Sequence, residues 1–429
     1  MPEPLSAPHD APDQAGYLEL IRRNVSFRRL WLGNIVSLLG DWFNTIALYS
    51  LVTDLTGSPF ALGAVFITKM LPWALASPFA GLLVDRFSRR RVMIVSDLLR
   101  AVVVLGFLVI DEPGEVYLVY VLTTVQVVIG SVFPPAQSAS IPNLTTPREL
   151  LTANALMSAT WSALLTLGAA LGGFAAAWLG LKAVFLIDSL SYVVSAFFIF
   201  RTVIPQDTAA PEAALRVRTV VREIVDGWRH LRARPRVGRI ALAKGTWAVA
   251  GGALVYMLTL LGEAVAPEAH AMGIGIFFAA RGFGTGVGPI LARAFFKDRR
   301  RWPALIGAGV AFSGLAYAAV GFLPWTYAVA AVVVAAHAAS GANWVLSTVL
   351  LQERTEDRFR GRVFATEWLL VMLADTVSIL LASLLLESAL FDLRSGFRLF
   401  AFLQILCGLV WLLVIVPRER RDSLAEAPG

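Results

Sequence analysis

Four charged residues lie near the middle of otherwise apolar stretches of the sequence, namely Asp41, Lys69, Arg281 and Asp375. A charge at the centre of a membrane helix costs about 2.5 to 3.5 kcal/mol, so each needs a partner or a wet cavity. A carboxyl group in such a place can bind and release a proton, and a neighbouring cation can tune that exchange. We expect two pairs, Asp41 with Lys69 and Arg281 with Asp375. They take part in proton or substrate binding, or else they form fixed salt bridges.

The polar residues around Asp41 share one face of a helix. Asn34, Ser37, Asp41 and Thr45 follow one another at spacings of three and four residues, which is the period of a helix face. This polar stripe predicts the lining of a cavity. His337 also lies within an apolar stretch, and both a proton-binding role and a hydrogen-bonded packing role remain open for it.

The long apolar stretches themselves predict membrane-spanning helices. Hydrophobic residues make up 57% and charged residues 16% of the 429 residues, whereas about a quarter of a typical soluble domain is charged. Twelve stretches have about the 20 residues that a membrane helix needs. They are 30–53, 60–84, 92–110, 117–140, 151–179, 182–203, 239–262, 271–295, 303–323, 326–350, 363–386 and 395–416. The sequence therefore predicts an all-α membrane protein with twelve transmembrane helices.

The basic residues are distributed unequally between the two sides of these helices. Thirty of the 37 Lys and Arg residues fall on the side of the N-terminus, whereas Lys182, Arg394 and Arg398 fall on the opposite side. Because basic residues concentrate on the cytoplasmic side, we expect both termini in the cytoplasm. The net charge of +7 therefore reflects membrane orientation, and we expect no nucleic-acid partner.

One polar segment divides the chain into two equal parts. We expect a cytoplasmic tail (1–25), a six-helix half (26–204), a cytoplasmic linker (205–238), a second six-helix half (239–417) and a cytoplasmic tail (418–429). Both halves are 179 residues long, which indicates a duplicated unit with the transport pathway between its copies. In the linker, Ile224, Trp228 and Leu231 recur at helical spacing and predict an amphipathic helix on the membrane surface. A solvated basic segment is the alternative.

Glycines in the fifth and eighth apolar stretches are spaced as on faces where membrane helices approach closely. They are Gly168, Gly172, Gly173, Gly282, Gly284, Gly286 and Gly288.

A motif follows the second apolar stretch. It reads Gly81-Leu-Leu-Val-Asp85-Arg86-Phe-Ser-Arg89-Arg90 and resembles the Gly-x-x-x-Asp-Arg-x-x-Arg-Arg signature of the major facilitator superfamily. The resemblance implies that Asp85 and Arg86 belong to a cytoplasmic gate that exchanges partners between the halves. The alternative for the arginines is that they only satisfy the membrane orientation.

Further patterns connect the motif to the rest of the chain. Arg89 and Arg90 are expected to pair with acids such as Glu356. Asp97 and Arg100, three residues apart, predict an intrahelical ion pair that supports the gate.

The resemblance covers about residues 27–418. Within the superfamily, the sequence is similar to one exporter branch, that of macrolide efflux and enterobactin exporter proteins. It includes Pro135-Ala136-Gln137 and the linker segment that ends at Pro235. Two departures stand out: no arginine precedes Gln126 in the fourth helix, and Ala169 replaces the proline of the Gly-Pro-x-x-Gly-Gly antiporter signature.

The resemblance implies a multi-pass transporter of the bacterial inner membrane. We expect proton-coupled export, as in multidrug antiport, of a hydrophobic or amphipathic small molecule such as a drug or siderophore, by alternating access. The 12 Trp and 26 Phe residues fit bulky apolar cargo. An ion-independent facilitator or lysophospholipid flippase is the alternative, and a non-transporting receptor or membrane enzyme is a third reading. We expect a monomer without catalytic residues, cofactor or metal.

Overall fold

The fold is a bundle of membrane-spanning helices, as the sequence predicts. Hydrocarbon offers no hydrogen bonds to the backbone, so an apolar segment that crosses it must satisfy its own peptide groups, and a helix does so. The computed structural model describes residues 15–206 and 217–425. Twelve helices in this part of the chain are long and apolar enough to cross a membrane, which confirms the predicted fold class.

The first six of these helices form the N-terminal bundle and the last six the C-terminal bundle. The N-terminal bundle contains α1 (Val25–Thr56), α2 (Pro59–Gly81), α3 (Arg89–Val109), α4 (Pro113–Leu144), α5 (Pro147–Leu179) and α6 (Leu181–Phe200). The C-terminal bundle contains α7 (Pro235–Val265), α8 (His270–Phe295), α9 (Arg299–Phe322), α10 (Val329–Arg354), α11 (Phe359–Glu387) and α12 (Leu393–Asp422).

Local sequence signals explain where several helices begin and end. The Asn24 side chain accepts a hydrogen bond from the Phe27 backbone N–H at the start of α1, which satisfies a donor that the helix leaves free. Gly57, with a φ of 58°, ends the same helix in the left-handed conformation that glycine adopts most easily. Helix α4 is interrupted before Pro134, because proline has no N–H to continue the hydrogen-bond ladder.

The first and last described residues, Ala15 and Ala425, and most arginines lie at one end of the bundle, which we call the arginine-rich end; the other is the loop end. The two bundles are joined mainly through α5 with α8 and α2 with α11. Side chains at the loop end add cross-links. Thr53 donates a hydrogen bond to Glu263 at 2.7 Å, Ser58 donates to Glu387 at 2.8 Å, and Tyr256 donates to a backbone carbonyl of α2 at 2.7 Å.

The packing of α2 against α11 differs between the two ends of the bundle. A Cβ atom built on Gly81 of α2 or on Gly361 of α11 meets nothing within 4 Å. Near the loop end, by contrast, a Cβ on Gly63 of α2 meets the Ser383 side chain of α11 at 2.6 Å. The structure is therefore closed at the loop end and has space between α2 and α11 at the arginine-rich end.

The glycine faces mediate close helix packing at six of the seven predicted positions. Gly168 and Gly172 approach α1, Gly173 and Gly282 join α5 to α8, and Gly284 and Gly288 pack on α10. Gly286 is the exception, because a Cβ there meets nothing within 4 Å. It lies one turn closer to the arginine-rich end than Gly282.

Replacing Gly275 of α8 with valine is expected to open the loop end. A Cβ there lies 2.7 Å from the Ala169 carbonyl oxygen of α5, and overpacking of this kind costs about 1 to 3 kcal/mol. A cysteine introduced as Ser383→Cys, in a Cys407→Ser background, reports the opening through its rate of maleimide labelling. We expect the labelling rate to rise by about 5-fold to 150-fold, because an energy of that size raises the population of the opened state by the same factor.

The matched control is Gly286→Val on the same helix, where the added side chain enters open space. Equal labelling rates in the two valine variants would contradict the assignment of α5 and α8 as the interface that holds the loop end closed.

The helix predicted within the linker is present and spans Val217–Ala233. It packs on α11, where Gly227 lies so close that a Cβ would be 2.6 Å from the Arg362 carbonyl oxygen. His230 stacks on Phe359 with ring centroids 4.2 Å apart, and Arg234 forms an ion pair with Glu356. The linker helix is therefore attached to the C-terminal bundle. The predicted positions Trp228 and Leu231 are partly exposed and buried, respectively, and the side chain of Ile224 lies outside the described residues.

Candidate functional site

A cavity of about 530 Å³ lies within the N-terminal bundle, toward the arginine-rich end. All four residues of the polar stripe on α1 line it, as their spacing predicts. Tryptophans from three helices complete much of its wall, namely Trp42, Trp73 and Trp161. The cavity thus combines an apolar aromatic surface with a small number of polar groups, which is the usual composition of a small-molecule site.

Asp41 is the carboxylate most open to this cavity, with 38% of its side chain exposed. Its Oδ1 accepts a hydrogen bond from the Tyr192 hydroxyl of α6. Its Oδ2 lies 3.7 Å from the Arg100 Nη1 of α3. Asp41 therefore has a cationic partner and a hydroxyl donor and still faces the cavity.

Lys69 does not form the direct pair with Asp41 that its depth in α2 predicts. Its Nζ donates a hydrogen bond to the Thr45 hydroxyl at 2.9 Å, while the carboxylate of Asp41 is taken by Arg100 and Tyr192. Lys69 interacts electrostatically with Asp41 and with Asp188. The prediction is thus wrong about the contact but right that the two charges share one site.

The predicted intrahelical pair of Asp97 and Arg100 is present, but its place differs from the prediction. Arg100 lines the cavity and its guanidinium stacks over the Tyr192 ring, 4.2 Å from the centroid. The pair therefore lies in the cavity wall rather than at the cytoplasmic end of the helix. The prediction underestimated its depth because Arg100 is three turns into α3.

Asp188 of α6 is a member of this cluster that sequence reasoning missed. Its side chain is fully buried and reaches α1 because Gly40 leaves room for it; a Cβ on Gly40 would lie 2.5 Å from the Asp188 Oδ1. Counting residues from the end of α6 suggests a shallow, structural position. The spacing of four between Asp188 and Tyr192 was the available signal, since it places both on one helix face.

The charges of the cluster do not balance. The acidic residues Asp41, Asp97 and Asp188 stand against two basic residues, Lys69 and Arg100. Because unpaired charge is costly in a low-dielectric interior, one bound proton would make the cluster neutral. The arrangement is therefore able to hold a proton, and only Asp41 among the three acids faces the cavity.

The charges of the C-terminal bundle are arranged differently. Arg281 and Asp375 interact electrostatically but form no salt bridge, contrary to the predicted direct pair. Asp375 is buried against α7, where a Cβ on Gly252 would meet its backbone at 2.8 Å, and this packing holds it away from Arg281. The His337 Nε2 lies 2.7 Å from the Tyr317 hydroxyl, which is the packing contact left open by the sequence.

At the gate motif, the arginines bind within their own bundle. Arg89 donates to the Ala139 carbonyl at 2.7 Å, and Arg90 donates to the Phe200 carbonyl at the end of α6. The predicted pairing with Glu356 is not formed in this state. Glu356 pairs with Arg234 of the linker, and there is open space beside Gly81 of α2 and Gly361 of α11 at this end. Arg86 makes further interactions, and the side chain of Asp85 lies outside the described residues.

A second buried ion pair, absent from the predictions, links α7 to α11. The Lys244 Nζ lies 3.1 Å from the Glu367 Oε2, with side chains 4% and 1% exposed. Trp344 packs beside it, with the ammonium 4.8 Å from the ring centroid. Neither residue is a predicted site residue, since both lie near the ends of their apolar stretches in the sequence. The structure joins them in one buried ion pair between α7 and α11.

An aromatic contact lies between the two bundles. Trp73 of α2, which lines the cavity, meets Trp368 of α11 edge to face with ring centroids 6.2 Å apart. Trp368 in turn meets Trp344 at 5.7 Å. In residues 15–206 and 217–425, no group of three or more His, Cys, Asp or Glu side chains is arranged to hold a metal ion.

Twelve apolar helices in two bundles, closed against each other at one end and with a polar cavity in the N-terminal bundle, are the architecture of a multi-pass membrane protein. The chain belongs to the major facilitator superfamily, whose sequence profile matches residues 30–261. This confirms the family resemblance of the motif after α2. Members of this family are transporters rather than enzymes. Because the chain belongs to the family, it is an integral membrane protein, as predicted.

Curated bacterial relatives cover different parts of the chain. An uncharacterized transporter of the superfamily, YfiS of Bacillus subtilis, is 28% identical over 208 residues, which is 48% of this chain and 49% of that protein. The chain thus spans about half the length of this relative. Macrolide efflux protein A of Streptococcus pyogenes is 25% identical over 84% of this chain and 89% of that protein. These bacterial relatives and the twelve helices support the predicted location in a bacterial inner membrane.

One further relative and one solved structure extend the comparison. The putative bacilysin exporter BacE of Bacillus subtilis is 23% identical over 93% of this chain and 97% of that protein. A bacterial homolog of the lysosomal transporter Spinster, solved inward-facing and unoccupied, has a TM-score of 0.65 and 15% identity. It covers 92% of this chain and 95% of that chain, and it shows the fold alone.

Proposed function

We propose that the chain is a proton-coupled exporter of amphipathic small molecules that works by alternating access. The observation that carries the proposal is the charge cluster of the N-terminal bundle, in which three carboxyl groups face two cations around a cavity. One proton neutralises the cluster, and Asp41 is the member that cavity water can reach. Binding of cargo in the same cavity then competes with that proton, which links the two movements.

The wall of the cavity supports amphipathic cargo. Trp42, Trp73 and Trp161 supply apolar surface, while the Gln137 amide, hydrogen-bonded to Asn34 at 2.9 Å, supplies fixed polar groups. Sites for sugars need many convergent amides and carboxylates, whereas an aromatic wall with few polar groups suits a bulky apolar body. The names of two relatives, a macrolide efflux protein and a putative bacilysin exporter, are in keeping with export.

The proposed direction of transport depends on the orientation of the protein in the membrane. The arginine-rich end is cytoplasmic under the positive-inside rule, so the described state has space at its cytoplasmic end and is closed outside. In the proposed cycle the two bundles are the moving halves, residues 26–204 and 239–417. Cargo enters the cavity from the cytoplasm, the cytoplasmic ends close, and the loop end opens to release it in exchange for a proton.

The test uses purified protein in liposomes with a pH-sensitive dye in the lumen. Macrolides, dansyl amino acids and cationic dyes are supplied at the arginine-rich end, with the loop end facing an acidic lumen. We expect a transported compound to accumulate inside and to cause proton efflux from the lumen. A protonophore should abolish the accumulation.

Accumulation that is unchanged by the protonophore, or transport that only equalises concentrations, would contradict proton coupling. The second outcome would instead identify the ion-independent facilitator. Liposomes without protein and liposomes with a uniformly neutral lumen are the controls.

A further inference from the structure

The membrane-embedded cations of this protein differ in how they are compensated. Three of them have polar partners: Arg100 binds Asp97 and Asp41, Lys244 binds Glu367, and Lys69 donates to Thr45. Arg281 of α8 is the exception among these four. Its side chain makes no hydrogen bond and no salt bridge, and its Nε is buried without an acceptor.

The surroundings of Arg281 are polar but offer it no ion pair. Tyr49 of α1, Tyr317 of α9 and Asp375 interact with it electrostatically. The ring of Phe278, one turn earlier on α8, lies 5.8 Å from its guanidinium carbon. Arg281 thus sits where α1 of one bundle meets the C-terminal bundle, on the boundary between the two moving units.

Arg281 also keeps part of its surface open. The side chain as a whole is only partly buried, so its terminal nitrogens are accessible although its Nε is not. A guanidinium presents a planar fork of donors that fits a carboxylate or phosphate with two parallel hydrogen bonds. A cation within the membrane that has no ion pair is costly unless an anion or water fills the place.

We propose that Arg281 binds the anionic group of the cargo, so that the transported molecule is an amphipathic anion. The charge of the cargo then supplies the partner that the protein lacks, while its apolar body reaches the aromatic wall of the cavity, where Trp73 of α2 meets Trp368 of α11. This inference deepens the proposed function, since it names a charge class for the cargo of the same transporter. It does not depend on proton coupling.

Binding of two matched probes tests the inference. Dansyl-phenylalanine carries a carboxylate, and its amide has the same apolar body without the charge. Affinities are measured by fluorescence with the protein in nanodiscs, after subtraction of binding to empty nanodiscs and without any pH gradient. We expect the wild-type protein to bind the acid about tenfold more tightly than the amide, in the range for hydrogen bonds to charged groups.

The variant Arg281→Gln is expected to bind the two probes equally, with the affinity for the amide unchanged. Arg281→Lys keeps the charge and should retain part of the preference. Arg293→Gln is the matched control, because it removes an exposed charge from the same helix and should leave the preference intact.

Three results would overturn the inference: no binding of the acid by the wild-type protein, equal affinity for acid and amide, or a preference that survives in Arg281→Gln. The comparison within the wild-type protein stands even if Arg281→Gln fails to fold. Because the assay measures equilibrium binding, its failure is distinguishable from a failure of proton coupling, which is measured only under a gradient.

Discussion

Replacement of Asp41 by asparagine is expected to abolish accumulation of cargo driven by a pH gradient while leaving the exchange of cargo across the membrane intact. Asparagine keeps the size of the side chain and can accept the Tyr192 hydrogen bond, but it binds no proton. The cavity therefore remains, and only the link between proton and cargo is lost. Accumulation and counterflow are measured with the same labelled compound in the same liposomes.

The matched control is Asp111→Asn. Asp111 lies outside the membrane-spanning helices and pairs with Lys182 at 2.8 Å, with both side chains about 60% exposed. It should retain gradient-driven accumulation. If Asp41→Asn accumulates cargo as well as Asp111→Asn does, the coupling site lies elsewhere, and Asp188 and Asp97 are the next candidates.

Loss of the buried pair between α7 and α11 is expected to have the largest effect on stability. Lys244→Met leaves Glu367 buried without its cation, and breaking such a pair costs about 3 to 5 kcal/mol. The free energy of unfolding is measured by titration with sodium dodecyl sulfate in mixed micelles. The double variant Lys244→Met with Glu367→Leu removes both charges and should recover most of that loss, since an apolar pair of similar volume replaces an ionic one.

An exposed ion pair provides the comparison. Lys182→Met breaks the surface pair with Asp111 and should change the free energy of unfolding by about 1 kcal/mol or less. A cost for Lys244→Met no greater than this would show that the pair carries little of the stability of the C-terminal bundle. A double variant less stable than the single one would indicate that Glu367 has other partners.

The helices could be predicted from the sequence because the membrane imposes a length and a composition on every segment that crosses it. The polar stripe on α1 could also be predicted, since Asn34, Ser37, Asp41 and Thr45 follow the period of a single helix. Such arguments use only neighbours within one element, where geometry is fixed by the backbone.

Contacts between helices could not be predicted in the same way. The depth of Lys69 in the membrane predicted it as the partner of Asp41. Depth does not give the rotation of α2 and α3 about their axes, and this rotation decides whether Lys69 or Arg100 reaches the carboxylate. Asp188 was missed because its depth was counted from the end of its own helix, while Gly40 of α1 determines what it meets. The pair of Lys244 and Glu367 depends likewise on how α7 and α11 pack.

The proposed proton-binding cluster and Arg281 lie in different bundles, and this separation has an evolutionary consequence. Mutations in the C-terminal bundle can change which cargo is accepted without disturbing the balance of charges in the N-terminal bundle. Variants with an altered preference for the charge of the cargo are therefore expected around α8, whereas those that lose energy coupling should cluster on α1, α3 and α6. A chimera that joins this N-terminal bundle to the C-terminal bundle of a relative is expected to keep proton coupling while it accepts a different cargo.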